Sequence, residues 1–390
     1  MVLSSVVVLA LVTGLSVVFL YRHLNGNLNV VDLSDELGER PDKVAAEGPK
    51  DPINILVMGS DTREGEGNDI DGEGGAEASD TTILMHLSAD RKRAYGVSIP
   101  RDSLVTRPDC RNGEVPGGDD EMWNAAFTLG GPACTIKQVE ELTGVFVDNY
   151  VVVDFNGFRD MVDAIDGVPV CIPEDISDPA HGINIPAGER EIRGAEALNY
   201  VRARYTLGDG SDISRISRQQ TFIAAMAKKV ISGGTLSRID RLIGFLNAAT
   251  KSLTVDPGLE NVAKIGNLGL QFQGIGLDNI QFLTVPIEYD TREQFRGRVV
   301  WTDEADGLWR KIRNDEPLSK RLTSGAINAA NAPGKGPSPS DAESPSDPAS
   351  PSGTASPSGG ASPSKEASPA KPAAPDAEAA EQAAANGLCA

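Results

Sequence analysis

The chain is poor in the residues on which much hydrolytic and metal chemistry rests. Its 390 residues include three histidines, His23, His86 and His181. That is too few to expect a histidine zinc site or a Ser–His–Asp triad, and neither a G-x-S-x-G elbow nor a Walker loop is present. Cysteine is scarce: Cys110 and Cys134 could close a disulfide, whereas Cys171 and Cys389 have no evident partners. Positive charge is short as well. The 36 Lys and Arg stand against 56 Asp and Glu, a formal net charge of −20, which argues against a general nucleic-acid binder with a basic footprint. From Ala332 onward there is no aromatic residue, and Pro, Ser, Ala and Gly dominate, with ASPS and PSPS repeats and a few charges. Such a segment buries no core, so residues 321–390 are assigned to a disordered tail.

What the chain does have begins at its start. Val2 to Tyr21 is almost wholly apolar and ends at Arg22 and His23. At about 20 residues it matches a membrane span, with no small-x-small cleavage site after it. Residues 1–22 are therefore read as a transmembrane anchor. No Lys or Arg precedes the span and Arg22 follows it, which by the positive-inside rule favours the inverted orientation unless a basic segment lies upstream of Met1. Residues 23–51 are polar, contain Pro41 and Pro49, and read as a stalk.

The densest positive charge lies in residues 196–219, EALNYVRARYTLGDGSDISRISRQ. If the first part is a strand, Tyr200, Arg202 and Arg204 share one face at period 2. After a Gly- and Asp-rich turn a helix is expected from about Asp212, capped by Ser211 or Asp212. Arg215, Arg218 and Gln219 would then share one helical face, with Ile216, Ile223, Ala227 and Val230 on the buried one. Arginines gathered at a strand end and a helix start suit phosphate oxygens. The alternative is a solvated face on which they pair with Glu189, Glu191, Glu196, Asp209 and Asp212.

Elsewhere short apolar runs alternate with helical patterns. Ile53 to Gly59 reads as a buried strand that delivers Asp61 and Arg63 at its end. TTILMHL and RAYGVSI are strands next to Asp80 and to Arg101 and Asp102. In open α/β sheets ligands bind outside strand ends. Two carboxylates there would hold a divalent ion, most naturally Mg²⁺ beside phosphates; otherwise each caps a turn or pairs with an arginine. Asp69-x-Asp71-Gly72 echoes a calcium loop, lacks its first and last ligands, and is taken as a solvated loop. TIKQVEELTG, NGFRDMVDAID and segments near 235–249, 258–270 and 303–313 read as helices, and YVVVDF, VPVCI and IQFLTVP as strands. The sum is an α/β sandwich over residues 52–320. Its later helices are apolar on one side, from core packing or a greasy groove.

Five blocks in this order resemble the LytR–CpsA–Psr family: GSDTR (59–63), SDTTILMHLSADRKRAYGVSIPRD (79–102), the Gly-Gly and Cys segment at 130–134, VVDFNGFRDMVDAIDGV (152–168) and ALNYVRARYTLGDGSDISRISRQQ (197–220). The resemblance implies a three-layer α/β/α sandwich with a central mixed sheet and an apolar pocket for a polyprenyl chain. It implies an extracytoplasmic, membrane-anchored phosphotransferase, a ligase that moves a glycopolymer from a polyprenyl-pyrophosphate carrier onto peptidoglycan through a phosphodiester. By the same resemblance Asp61 and Asp80 would hold Mg²⁺. Arg101, Arg202, Arg204, Arg215 and Arg218, with Gln219, would clamp the pyrophosphate. Arg63 and Asp102 sit in matching motifs, Asp102 either orienting an arginine or deprotonating the acceptor. Two departures stand out. Ala78 replaces the Arg usual before Ser-Asp-Thr, and Asp166-Gly167-Val168 replaces Gly-Gly-Val. Other readings are a non-catalytic polyprenyl-phosphate carrier and a polyprenyl pyrophosphatase.

Overall fold

Two apolar layers meet in the segment Ile53–Ser60. Ile55 and Val57 pack into one core cluster, Leu56 and Met58 into another. A strand covered on both faces needs an unbroken apolar run, and INILVMG supplies it. In a computed structural model of the chain, residues 2–44, 50–60, 79–178, 183–203, 212–232 and 238–333 are the described ones.

Among them an eight-stranded sheet forms the centre. Its strands in chain order are β1 (Asn29–Val30), β2 (Ile53–Ser60), β3 (Ser79–Leu87), β4 (Ala94–Ile99), β5 (Asn149–Asp154), β6 (Leu253–Val255), β7 (Ile280–Thr284) and β8 (Ile327–Asn328). They lie side by side as β1-β6-β5-β2-β3-β4-β7-β8. β2 is parallel to β5 and antiparallel to β3, and β4 is antiparallel to β3 and parallel to β7. The sheet is mixed, as expected.

The helices in chain order are α1 (Val2–Asn27), α2 (Ser34–Leu37), α3 (Ala125–Thr143), α4 (Phe155–Ala164), α5 (Gly194–Arg202), α6 (Asp212–Ser232), α7 (Ile239–Ser252), α8 (Val262–Ile275) and α9 (Asp303–Arg313). On the Leu56 face, α3 and α9 contribute Phe127, Ile136, Val139, Leu308 and Trp309. On the Ile55 face, α4, α5 and α6 contribute Val162, Tyr200 and Phe222. The three layers follow. In α3, Gly131 takes φ +67 ahead of Pro132 and breaks the helix. A Cβ on Gly130 would lie 2.5 Å from that of Cys134, so the disulfide between Cys110 and Cys134 needs glycine there. That bond is formed, with Cα atoms 5.4 Å apart. Cys171, for which the sequence offered no partner, is also disulfide-bonded.

Three expectations change. Residues 23–51 are not a simple stalk, because β1 pairs with β6 as an edge strand and Leu33 and Leu37 are buried. The Tyr150 hydroxyl donates to the Val31 carbonyl at 2.8 Å. An edge strand of two residues leaves no side-chain pattern to read. The folded unit also runs past residue 320: β8 adds to the sheet, Ala332 is buried, and Lys228 Nζ donates to its carbonyl at 2.7 Å. Third, the expected strand through Tyr200 and Arg202 is helix α5. AEALNYVR is made largely of helix-tolerant residues, and Ala197, Leu198 and Tyr200 bury one helical face. The Asp166-Gly167 variation is a local turn, with φ +62 and +84.

Candidate active site

One edge of the sheet collects most of the residues in question. Strands β2, β4 and β5 end there and β3 begins there, since Ser60 pairs with both Ser79 and Asp154, and Thr82 with Ile99. The backbone thus places Asp80 in the first residues of β3 at this edge, and Arg101 and Asp102 in the turn after β4. Asp61, Arg63, Ala78, Arg204 and Ser211 lie outside the described residues, as do the Asp69–Gly72 loop and the tail beyond residue 333.

Helix α6 is fastened over this region by amides and a guanidinium. Gln220 Nε2 donates to Ser98 Oγ at 2.9 Å and to Thr284 Oγ1 at 3.1 Å, which fixes the helix over the ends of β4 and β7. Arg218 donates to the Ala203 carbonyl and, at 3.4 Å, to Ser214 Oγ; Gln219 Nε2 donates to the Val201 carbonyl at 3.1 Å. The carbonyls at the C-terminal end of α5 carry partial negative charge, so a guanidinium is favoured there. Arg215 and Arg218 are 2% and 0% exposed. The arginine face of α6 is therefore a buried face, not a solvated one, and Ile223 and Val230 on the expected core stripe are only half-buried. A buried guanidinium demands compensation, and at this burial these two do not stand on a solvated face. Burial pushes the phenol of Tyr200 up to about 12, while the nearby Arg218 charge pulls it down.

Beside the arginines lies an apolar cavity of about 200 Å³. Val57 and Gly59 of β2, Ile83 of β3 and Val153 of β5 form its floor. Phe155, Phe158 and Met161 of α4 and Phe222, Ile223 and Met226 of α6 form its walls, and Gln219 reaches its lining. The Arg202 guanidinium lies 4.6 Å from the centroid of Phe155, so positive charge meets the apolar wall at one ring. Asp154, also in the lining, caps α4 by accepting from the Gly157 amide at 2.7 Å.

Arg101 and Asp102 form a separate ionic group. Arg101 Nε stands 3.6 Å from one Asp102 oxygen, and Arg298 donates to the other. The Val299 amide donates to the Asp102 carbonyl at 3.3 Å, which brings the strand Val299–Trp301, with Arg298 just before it, to this turn. Asp102 is thus engaged by two guanidiniums.

The structure brings Arg202 and Gln219 to the cavity, sets Arg215 and Arg218 in the buried face of α6, and puts Arg101 and Asp102 at the same sheet edge. Sequence reasoning missed Asp154, Phe155 and Arg298 as site residues. A strand ending in Asp-Phe-Asn-Gly is a readable helix cap; Arg298 is 196 residues from Asp102 and carries no local signal. Among the described residues no group of three or more His, Cys, Asp or Glu could hold a metal ion.

A family model for LytR_cpsA_psr matches residues 20–313, three quarters of the chain. The chain belongs to the LytR_cpsA_psr family. Among curated proteins it is 33% identical over 271 residues to the cell wall biosynthesis protein LcpA of Corynebacterium glutamicum, covering 62% of this chain and 51% of that one. It is 36% identical over 263 residues to the probable cell wall biosynthesis protein LcpB of the same organism, covering 65% and 58%. The chain therefore spans little more than half the length of these LytR_cpsA_psr relatives. The solved structure of B. subtilis TagT bound to LI-WTA matches with a TM-score of 0.53 and 25% identity, over 74% of this chain and all of that one.

Proposed function

We propose that this LytR_cpsA_psr protein is a membrane-anchored phosphotransferase that moves a glycopolymer from a polyprenyl-pyrophosphate carrier onto peptidoglycan. The observation that carries the reading is the junction at Phe155, where Arg202 caps the wall of an apolar cavity. A ligand with an isoprenoid tail and an anionic head is the chemistry such a junction fits. The named relatives in cell wall biosynthesis and a neighbour bound to LI-WTA support the same class of substrate.

In this mechanism the cavity takes the proximal isoprenoid units. Arg202, Arg101 and the buried pair Arg215 and Arg218, with Arg204 from the adjoining segment, set positive potential against the pyrophosphate. Phosphoryl transfer asks little else of a protein than position and charge. The acceptor hydroxyl attacks the sugar-proximal phosphorus. The bond from that phosphorus to the bridging oxygen breaks, and polyprenyl phosphate leaves with the electron pair and takes up the proton that the hydroxyl gives up. Asp102, held between Arg101 and Arg298, orients Arg101 in this scheme and is not the base. Asp61 and Asp80 would offer the hard oxygen donors that Mg²⁺ takes, Asp80 from the first residues of β3. Held there, Mg²⁺ would supply further positive charge beside the pyrophosphate.

The membrane anchor is α1, an apolar helix of 26 residues. Its last turn is tied into the domain, with Asn27 Nδ2 donating to Asn247 Oδ1 at 3.3 Å and Asn25 Oδ1 accepting from the Val262 amide at 2.8 Å. Such ties favour a retained anchor over a removed leader. The test is to supply full-length protein in detergent with a synthetic glycosylated polyprenyl pyrophosphate, Mg²⁺ and peptidoglycan. Release of polyprenyl phosphate that requires the acceptor supports transfer. Release without acceptor identifies a pyrophosphatase, and tight binding without release identifies a carrier.

A further inference from the structure

Helix α7 carries two apolar faces and the core uses one of them. Phe245, Ala248 and Ala249 pack against α4 and its neighbours. Ile239, Leu242, Ile243 and Leu246 recur at i, i+3, i+4 and i+7, the spacing of a second helical stripe. None of these four joins the core clusters formed by the described residues. Ile239 at its tip is 74% exposed, and Leu242, Ile243 and Leu246 are half-buried.

The stripe has a defined relation to α1. His23 and Asn27 hydrogen-bond Asn247 at 3.2 and 3.3 Å, and Asn27 reaches Thr250 at 3.4 Å. Immediately beyond, Asn29 pairs with Thr254 and Val30 with Val255 in parallel strands. The two chain segments thus advance together, α1 into β1 and α7 into β6. Traced backward at this register, the first turns of α7 run beside the last apolar turns of α1, where the exposed chain includes Val18, Phe19 and Tyr21. Those are the residues that meet a bilayer surface if α1 spans it.

The geometry points to the N-terminal half of α7 as a bilayer contact: Ile239, Leu242 and Ile243 enter the boundary between headgroups and acyl chains, beside the anchor. An interfacial helix of this kind pairs an apolar stripe with basic residues at headgroup level; Arg238 and Arg241 flank the stripe, Arg238 ion-paired to Asp240 at 2.7 Å and Arg241 to Asp166 at 2.5 Å. The contact restricts how the domain tilts on its anchor. The inference rests on α1 being a membrane span, a part of the proposed function.

Tryptophan fluorescence of the full chain in vesicles containing bromolipid tests it. Ile239→Trp is compared with Tyr289→Trp, an exposed residue in the segment after β7, toward the opposite side of the sheet from β1. The parent protein, with its three native tryptophans, supplies the background. The expected result is emission from the Ile239→Trp variant that shifts blue and is quenched by bromolipid, with the Tyr289→Trp variant unaffected. Extraction of the parent by alkaline carbonate would remove the anchor reading and this inference with it. A carbonate-resistant chain whose Ile239→Trp signal is unquenched overturns the inference alone. If that signal is blue-shifted, unquenched and accompanied by a dimer, a second copy covers the stripe and the bilayer contact is likewise overturned.

Discussion

The Arg202 guanidinium sits 4.6 Å over the ring of Phe155, and Phe155 is at the same time part of the apolar cavity wall. One aromatic face therefore holds the charge that meets an anionic head and the surface that meets an apolar tail. Replacing Phe155 with Leu keeps the apolar wall and removes the π-face. The expected loss in affinity for polyprenyl pyrophosphate corresponds to about 0.5–2 kcal/mol, roughly a few-fold to 30-fold. Titration of the two proteins with the same lipid measures it. An unchanged affinity would mean that the ring is only packing.

Arg298 predicts a second effect. It reaches Asp102 from a distant part of the chain, and Asp102 in turn stands beside Arg101. In the Arg298→Gln variant, Arg101 loses its second-hand support while every proposed clamp residue remains. Turnover should fall by about tenfold, less than the roughly 10²–10³ expected for removing a direct electrostatic donor. Arg298→Lys should restore part of it. A general-base role for Asp102 would instead appear as a shifted acid limb in the pH–rate profile of the Arg298→Gln variant.

The fold has its own pH dependence, set far from the site. His86 Nε2 lies 3.0 Å from Asp315 Oδ1, and the Ala89 amide donates to Asp315 Oδ2 at 3.0 Å. Burial pushes the Asp315 carboxyl up, but the hydrogen bonds from His86 and Ala89 and the charges of His86 and Arg93 outweigh it, leaving it below the ordinary range. A depressed carboxyl contributes stability that is complete above its unfolded value, near 4, and is lost as pH falls through the folded value. Asp315→Asn should cost roughly 1–3 kcal/mol at neutral pH, the scale of hydrogen bonds to a charged group. It should also flatten the decline below pH 4. Urea titrations of both proteins between pH 2 and 7 decide this.

Much of this arrangement was legible in the sequence, and what was not has physical causes. Ile53–Gly59 and TTILMHL read as strands because a sheet covered on both faces needs continuous apolar runs. Helix α9 was found at Asp303–Arg313 because its apolar and charged residues separate cleanly at helical period. Tyr200 and Arg202 misled because alternation over five residues fits a strand and a short helix equally, and tertiary packing chose the helix. The burial of Arg215 and Arg218 was invisible, since charge patterns do not reveal what lies above them. Arg298 and β1 depend on contacts far along the chain.

The Cys110–Cys134 bond closes a loop with a sequence separation of 24. Chain-entropy estimates give about 3.5 kcal/mol for a loop of that size. The paired variant Cys110→Ala with Cys134→Ala should lose about this much, read from the urea midpoint. Loss of the lipid site as well would show that the segment it closes shapes the cavity.

The most direct test follows the phosphorus atom. A lipid-linked glycopolymer labelled in the sugar-proximal phosphate is incubated with full-length protein, Mg²⁺ and peptidoglycan, beside the variants Arg202→Ala and Arg218→Ala. The account predicts that the label enters peptidoglycan as a phosphodiester, that unlabelled polyprenyl phosphate is released in equal amount, and that both variants transfer at least about 10²-fold more slowly. Label that remains with the lipid, or appears as free phosphorylated glycan whether or not peptidoglycan is present, would contradict it.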